Sequence, residues 1–334
     1  MFESAVIAAP MAGGPSGPAL VTAVAGAGGF GFLAGGYKTA TALAEEIRAV
    51  RPLDAAFGVN LFVPSAAEPD VNALNAYRAE LEPEARRYGV ELPPLRGADD
   101  DGWDQKTALL LEDPVPVVSF TFGLPPAGVV AALRKAGSIV LASVTSVAEA
   151  LAAADVGVDA LVVQHSSAGS HTAAFLPAPA ESAADSAALV AAVRHAVALP
   201  LVAAGGIGDG AGLRRVLDAG AVAAQLGTAF LRTPESGARQ LHKDALADAG
   251  YTETVLTRAF TGKPARALVN RFVREHSAHA PAAYPMVHHL TAPIRAAAAA
   301  QGDADGLNLW AGTGWRHSRD LPAAEVVQGF LGAL

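Results

Sequence analysis

Eight short, continuously apolar runs recur along the chain, each followed by a stretch with helical patterning. The runs are SAVIAAP (4–10), GGFGFLA (28–34), AAFGVNLFV (55–63), PVVSFTFG (116–123), SIVLASV (138–144), ALVVQH (160–165), PLVAAGG (200–206) and AVAAQLGTAF (221–230). None alternates apolar with polar residues, so each reads as a strand buried on both faces. The segments between them carry helical stripes. In 182–199, Leu189, Val193 and Val197 fall four apart, with Asp185 and Arg194 off the stripe. In 210–219, Leu213, Val216 and Leu217 oppose Arg214, Arg215 and Asp218. Gly137, Gly157 and Gly220 each stand between a helix and a strand, where glycine ends a helix. Eight β-then-α units of this length fit an α/β fold, the (β/α)8 TIM barrel. An open doubly wound sheet is the alternative, and it more often has fewer strands.

Two places break the rhythm. Residues 64–115 form a long insertion after the third run, rich in Glu, Arg and Pro, with a helix expected near 70–88. After about residue 232 the strand pattern stops, and the rest reads as helices and loops. The expected organisation is a barrel over 1–232 carrying the 64–115 insertion. A helical cap over one barrel mouth spans 233–300, and 301–334 returns to the barrel wall.

Composition agrees with a helix-covered sheet. The chain is 51% hydrophobic but only 6% aromatic, with 34 glycines, and small residues let helices approach a parallel sheet closely. Net charge is −8, and no Lys/Arg stripe runs along any segment, which argues against a nucleic-acid partner. The absence of cysteine excludes thiol catalysis, thiolate metal sites and disulfides together. The start, MFESAVIAAPMAGG, has Glu3 where a signal peptide carries positive charge, and its apolar run ends at Pro10. No segment is long and uninterrupted enough to span a bilayer, so a soluble cytoplasmic protein without a membrane partner is expected.

In a barrel of this type the site lies at the C-terminal ends of the strands. The residues found there are 10–14, 35–37, 60–62, 119–123, 164–171, 205–207 and 227–228, a set rich in glycine and nearly free of carboxylates. Glycoside hydrolysis needs a carboxylate pair and a divalent metal site needs oxygen ligands, so both are poorly supplied and no metal is expected. The seventh and eighth strand ends read AAGGIGDG and QLGTAF. Backbone N–H groups freed by glycine at a helix N-terminus bind anions, and these are the loops that hold phosphate in many such barrels. A tight turn that merely needs glycine is the plainer reading, but two glycine loops at the two expected strands favour phosphate. GAGGFG (26–31) matches a dinucleotide fingerprint by letter only, because it ends a helix and enters a strand. Without cysteines or nearby carboxylates, the histidines near 276–289 read as solvated or hydrogen-bonded rather than metal-binding.

Taken in order, APMAGGPSGPALVTAVAGAGGFGFLAGGY, FGVNLFVP, VVQHSSAGSHTAAF, PLVAAGGIGDG, QLGTAF, TRAFTGKPARALVNRF and the tail AAYPMVHHLTAPIR…LWAGTG resemble the nitronate monooxygenase family, formerly called 2-nitropropane dioxygenases. The match spans nearly the whole chain. The opening and GVNLFVP blocks look most like the enzymes that oxidise nitronates without a nicotinamide cofactor. The resemblance implies FMN at the barrel mouth, with Ala9, Pro10, Met11 and Ala12 lining the flavin ring. It implies Asn60 and Gln164 on the polar edge of the ring, and Gly169 and Ser170 close to the ribityl chain and phosphate. Gly205, Gly206, Gln225, Gly227 and Thr228 would hold the phosphate. The implied reaction oxidises a small nitronate, propionate 3-nitronate physiologically, with O2 to a carbonyl compound and nitrite, as a detoxification.

The same resemblance puts His171 beside the flavin as the catalytic residue. A neutral imidazole can take a proton from a carbon acid such as a nitroalkane, and a protonated one can attract an anionic nitronate. A histidine that only hydrogen-bonds its own loop is the plainer alternative. The chain departs from the family pattern around it. Ser170 replaces the second glycine of the usual Gly-Gly-His, His165 stands where glycine is common, and Thr172-Ala173 replaces Arg-Gly. Ser170 avoids dihedrals that glycine permits, and His165 could crowd the pocket or act as a second base. Tyr284 and His288 fall one helical turn apart if their segment is helical, and could reach the pocket from the cap or simply pack it. Two other functions remain open: a flavin reductase driven by NADH or NADPH, of quinone or enoyl-thioester type, and an FMN-binding protein without turnover.

Overall fold

A computed structural model describes residues 3–52, 55–65, 70–95, 97, 99–177 and 182–334. Met1 and Phe2 of the opening segment and residues 66–69, 96 and 98 of the insertion lie outside the described residues.

The eight apolar runs form eight parallel strands: β1 (Val6–Ala8), β2 (Phe30–Ala34), β3 (Phe57–Phe62), β4 (Val117–Thr121), β5 (Ile139–Val144), β6 (Ala160–Gln164), β8 (Leu201–Ala204) and β9 (Ala223–Leu226). They close in sequence order into a barrel, with β9 returning to β1 in the register Ile7↔Gln225. Burial on both faces explains the unbroken apolar runs. Ile7, Phe32, Val117, Leu141, Val162 and Val202 fill the barrel interior. Their neighbours Val6, Leu33, Val118, Val140, Leu161 and Leu201 face the outer helices. Each such side chain removed from water contributes roughly 1.5–3 kcal/mol.

The outer ring comprises α1 (Pro18–Gly26), α2 (Ala40–Val50), α5 (Trp103–Glu112), α6 (Ala127–Lys135), α7 (Val147–Asp155), α8 (Ser186–Ala196), α9 (Gly210–Asp218) and α13 (Ala323–Leu331). Their starts are set locally: Thr39, Ser146, Asp185 and Asp209 each accept a backbone N–H of the first turn. The end of the 64–115 insertion is α5, which packs on α2, α6 and β3 and so serves as the barrel's third helix. The C-terminal α13 packs on α1 and α9 as the eighth.

The expected helix near 70–88 is two helices, α3 (Val71–Glu80) and α4 (Glu82–Tyr88), meeting at Leu81 with Pro83 in the first turn of α4. They join α10 (Gln240–Ala245), α11 (Arg271–His276) and α12 (Met286–Ala300) in a second apolar core. Tyr77, Leu81, Phe260, Phe272, Leu290 and Ile294 are its centre, and the Tyr77 hydroxyl donates to the Ala259 carbonyl at 2.7 Å. Arg271 clamps Glu84 across this contact at 2.6 Å.

The expectation that strands end at 232 is corrected. Thr254–Thr257 (β10) and Ala265–Leu268 (β11) form an antiparallel pair, extended by β7 (Ser170–His171). Four-residue strands are too short to show a period, which is why the pattern conceals them. Functionally, this small sheet ties the loop after β6 to the cap.

Candidate active site

A cavity of about 510 Å³ lies where the C-terminal ends of the barrel strands meet the cap. It is lined by Ala9, Pro10, Met11, Ala12, Asn60, Gln164, Gly169, Ser170, His171, Gly205, Gly206, Gln225, Gly227, Thr228 and His288, so these sequence-derived candidates converge. No aspartate or glutamate is among its described lining residues, while Arg239 and Arg295 are.

Each wall is fixed by specific bonds. The loop after β1 is held by Ser16, whose hydroxyl accepts from the Met11 N–H and donates to the Ala9 carbonyl, both at 2.9 Å. Asn60 on β3 donates to the hydroxyls of Ser119 at 2.9 Å and Thr121 at 3.0 Å. Gln164 at the end of β6 holds the histidine loop: its amide donates to the His171 carbonyl at 3.2 Å and accepts the Ala173 N–H at 2.7 Å. Gln225 on β9 is different, because its amide oxygen is buried without a partner. A buried acceptor left unpaired costs about 1–3 kcal/mol, so a donor is missing there.

At the far end of the cavity four loops meet through bare backbone. Gly206 has φ +69°, and a Cβ there would lie 2.7 Å from the Ser167 hydroxyl. A Cβ on Gly169 would lie 2.6 Å from the Gly312 nitrogen. Glycine is therefore required by close approach as well as by conformation. Gly312 N–H donates to the Thr228 hydroxyl at 3.0 Å, and Thr313 N–H to the Ser167 carbonyl at 2.9 Å. These bonds hold bare, glycine-rich backbone together at the cavity's end, the kind of turn that can receive an anion. The glycine cradle, the orphaned Gln225 oxygen and the apolar β1 loop fit FMN. The 311–314 segment escaped the sequence-derived set, although its Gly312-Thr313-Gly314 spelling could have flagged it.

His171 sits on β7, paired with Ala265 of β11. Its Nε2 lies 2.9 Å from the Thr261 hydroxyl and its Nδ1 3.3 Å from that of Ser170. Its ring packs against Trp310, Tyr284 and Phe122, with centroids 5.3, 5.6 and 5.7 Å away. Burial, followed by the positive charges of Lys263 and Arg295, lowers its pKa to about 3. The imidazole is therefore neutral at ordinary pH. Lys263 itself is lowered to about 8 by burial, and its ammonium rests 4.7 Å from the Phe122 ring centroid. The site thus presents a neutral histidine in a positive surround.

Ser170 has φ +66°, the left-handed conformation that glycine would take there without strain. A side chain in that region costs roughly 1–2 kcal/mol, partly offset by the conformational entropy a glycine would lose. Ser170→Gly is expected to raise stability by up to about 1 kcal/mol. Chemical denaturation reads this directly, and a less stable variant would show that the Ser170 hydroxyl outweighs the strain.

Two candidates lie elsewhere. His165 faces a separate pocket of about 320 Å³. Its ring bonds the Ser167 hydroxyl at 2.8 Å and the Ala183 carbonyl at 3.1 Å, which turns it away from the main cavity. Tyr284 precedes α12 rather than sharing it with His288, and it backs the cavity wall instead of lining it. Both still act on one residue. The Tyr284 hydroxyl donates to that of Tyr37 at 3.1 Å, and His288 stacks on the Tyr37 ring at 4.3 Å. Tyr37 and Phe122 fall in the strand-end segments 35–37 and 119–123 but were given no role from the sequence, and Thr261, Lys263, Arg295 and Trp310 were given none either. The insertion holds Tyr37 in place: Asp101 accepts the Tyr37 N–H at 2.9 Å and pairs with buried Lys106 at 2.7 Å.

The histidines near 276–289 do have carboxylate neighbours, contrary to expectation. His276 and His279 meet Glu80 at 3.0 and 2.9 Å, and His289 meets Asp99 at 2.8 Å. Glu84, Glu275 and His276 also converge, but Arg271 already sits on both carboxylates at 2.6 Å.

Fold and site together define a (β/α)8 barrel whose mouth is lined by glycine-rich loops and two arginines. The family model described as nitronate monooxygenase matches residues 2–332. A probable nitronate monooxygenase of Staphylococcus aureus (strain MSSA476) is 36% identical, covering 99% of this chain and 94% of that protein. Among solved structures, nitroalkane oxidase from Streptomyces ansochromogenes superposes with a TM-score of 0.95 at 50% identity, covering 100% of this chain and 96% of that one. FabK from Thermotoga maritima superposes with a TM-score of 0.77 at 25% identity, covering 99% and 93%. The chain belongs to the nitronate monooxygenase family.

Proposed function

We propose that this protein is an FMN-dependent nitronate monooxygenase that oxidises small nitronates with O2 to a carbonyl compound and nitrite. The observation that carries this reading is the cavity itself. It has a glycine cradle for phosphate at one end, a neutral, half-buried His171 at the other, and arginines but no carboxylates among the described residues of its wall. Bound FMN supplies the electron-accepting chemistry that no side chain here can supply. The protein's own residues bind, orient and move a proton. Lys263 raises the positive potential at His171, which favours an anion beside the ring, and the cap covers the site. With a neutral nitroalkane, His171 accepts the α-carbon proton. Burial keeps its basicity low, and the negative charge of the nitronate that forms stabilises the imidazolium as the proton moves. The similarity to a nitroalkane oxidase supports this extension of the substrate range.

Propionate 3-nitronate is the proposed physiological substrate, and detoxification in the cytoplasm the proposed role. The FabK likeness keeps reduction of the flavin by NADH or NADPH as the second reading. The test is release of nitrite from propionate 3-nitronate by the FMN-loaded protein, with O2 uptake followed in parallel. Nitrite release without added nicotinamide supports the monooxygenase. No nitrite, with NADH or NADPH oxidised instead, establishes the reductase. FMN bound with neither activity leaves a flavin-binding protein without turnover.

A further inference from the structure

Arg295 projects from α12 into the cavity, and no aspartate or glutamate lies within ion-pair distance of it among the described residues. All of its partners are neutral. Its Nε donates to the Thr291 hydroxyl at 3.2 Å, its Nη2 to the His288 carbonyl at 2.9 Å, and its Nη1 lies 3.5 Å from the Asn308 amide oxygen. Burial lowers its pKa to about 10, with a further push from Arg239, yet it stays charged at neutral pH. A guanidinium withdrawn from bulk water without a counter-charge is costly, so the site is built for an anion. FMN phosphate is not that anion, because the glycine cradle for it belongs to the barrel loops, whereas Arg295 lies on the cap next to His288. The reacting end of a nitronate, held at His171, lies in the positive field of Lys263 as well.

We propose that Arg295 is the subsite for a carboxylate at the far end of the substrate. It would make the enzyme selective for nitronates of short carboxylic acids over plain alkyl nitronates. A planar guanidinium fork matches a carboxylate in a two-point bond, and Arg239 adds charge from the same cavity wall. This inference rests on the nitronate reading and assigns the residue that sets its substrate class.

The test uses the FMN-loaded wild type, Arg295→Gln and Arg295→Lys. Propionate 3-nitronate is compared with propyl-1-nitronate, which has the same carbon count and no carboxylate. Arg295→Gln should lower kcat/KM for the carboxylated substrate by about 10- to 100-fold, the worth of a charge-assisted hydrogen bond, mainly through KM. The plain nitronate should change less than about threefold, and Arg295→Lys should recover part of the loss. Equal losses on both substrates, or none on propionate 3-nitronate, would overturn the assignment. If Arg295→Gln fails to retain FMN, the ratio of the two substrates in Arg295→Lys decides instead, an unchanged ratio counting against the subsite. Succinate, which cannot be oxidised as a nitronate, separates the two levels. Its binding is read from Trp310 fluorescence and should weaken about 10- to 100-fold in Arg295→Gln. Succinate binding that depends on Arg295 in a protein without nitronate turnover would sustain the subsite and remove the nitronate reading. Succinate binding that ignores the substitution would remove the subsite.

Discussion

Replacing His171 by alanine should lower turnover of neutral nitroalkanes by about 10²- to 10⁴-fold, the usual contribution of a positioned general base. FMN should stay bound, because the phosphate cradle is made of close backbone at Gly169, Gly206 and Gly312, which loss of the imidazole leaves in place. Preformed nitronates should lose much less, since their carbon proton is already gone. The contrast between the two substrates is the informative quantity, and nitrite release measures both. Trp310, Tyr284 and Phe122 hold the imidazole in one place, and Gln164 fixes the backbone on which it stands. Alanine removes the ring without freeing that backbone. Unchanged nitroalkane turnover would take the base role away from His171 and leave it a packing residue.

Acid should unfold the protein well above the carboxylate range. His171, His242 and His288 have pKa values lowered to about 3, 4 and 2, in each case chiefly by burial. In the unfolded chain a histidine titrates near 6.5. Between that value and the folded ones, the unfolded state binds more protons, so stability rises with pH across this window and falls as acid is added. By pH 5 each histidine should have removed ~2 kcal/mol relative to pH 7. Domains are commonly stable by only about 5–15 kcal/mol, so three such losses bring the protein close to unfolding. The check is Tm from pH 7.5 to 4.5, in the wild type and in His242→Gln. The substituted protein should show a shallower slope, because glutamine does not titrate. A Tm flat from pH 7 to 5 would mean that these rings are not held neutral by burial.

Much of the barrel is legible in the residues alone, because strands buried on both faces must be apolar throughout and glycines must close the helices before them. Gly137, Gly157 and Gly220 take the positive φ their positions imply. The anion cradle is legible for a similar reason: only glycine tolerates the approach seen at Gly205 and Gly206. The cap is less legible. Arg295 is one charged residue in an alanine-rich helix, and nothing local tells an arginine aimed at a cavity from one aimed at water. Thr261 and Tyr37 reach His171 and His288 across long stretches of chain, and only the closed fold brings them together. His165 misleads because it sits a short step from the site in sequence, while its ring bonds to Ser167 and Ala183 turn it outward.

A flavin held in this cavity should take electrons from a nitronate and not from a nicotinamide. The most direct measurement mixes the anaerobic FMN-loaded protein separately with propionate 3-nitronate and with NADH or NADPH, following the flavin absorbance in a stopped-flow instrument. A rapid absorbance change with the nitronate and none with either nicotinamide is the predicted result. Rapid bleaching by a nicotinamide, with no response to the nitronate, would contradict it and make the protein a reductase.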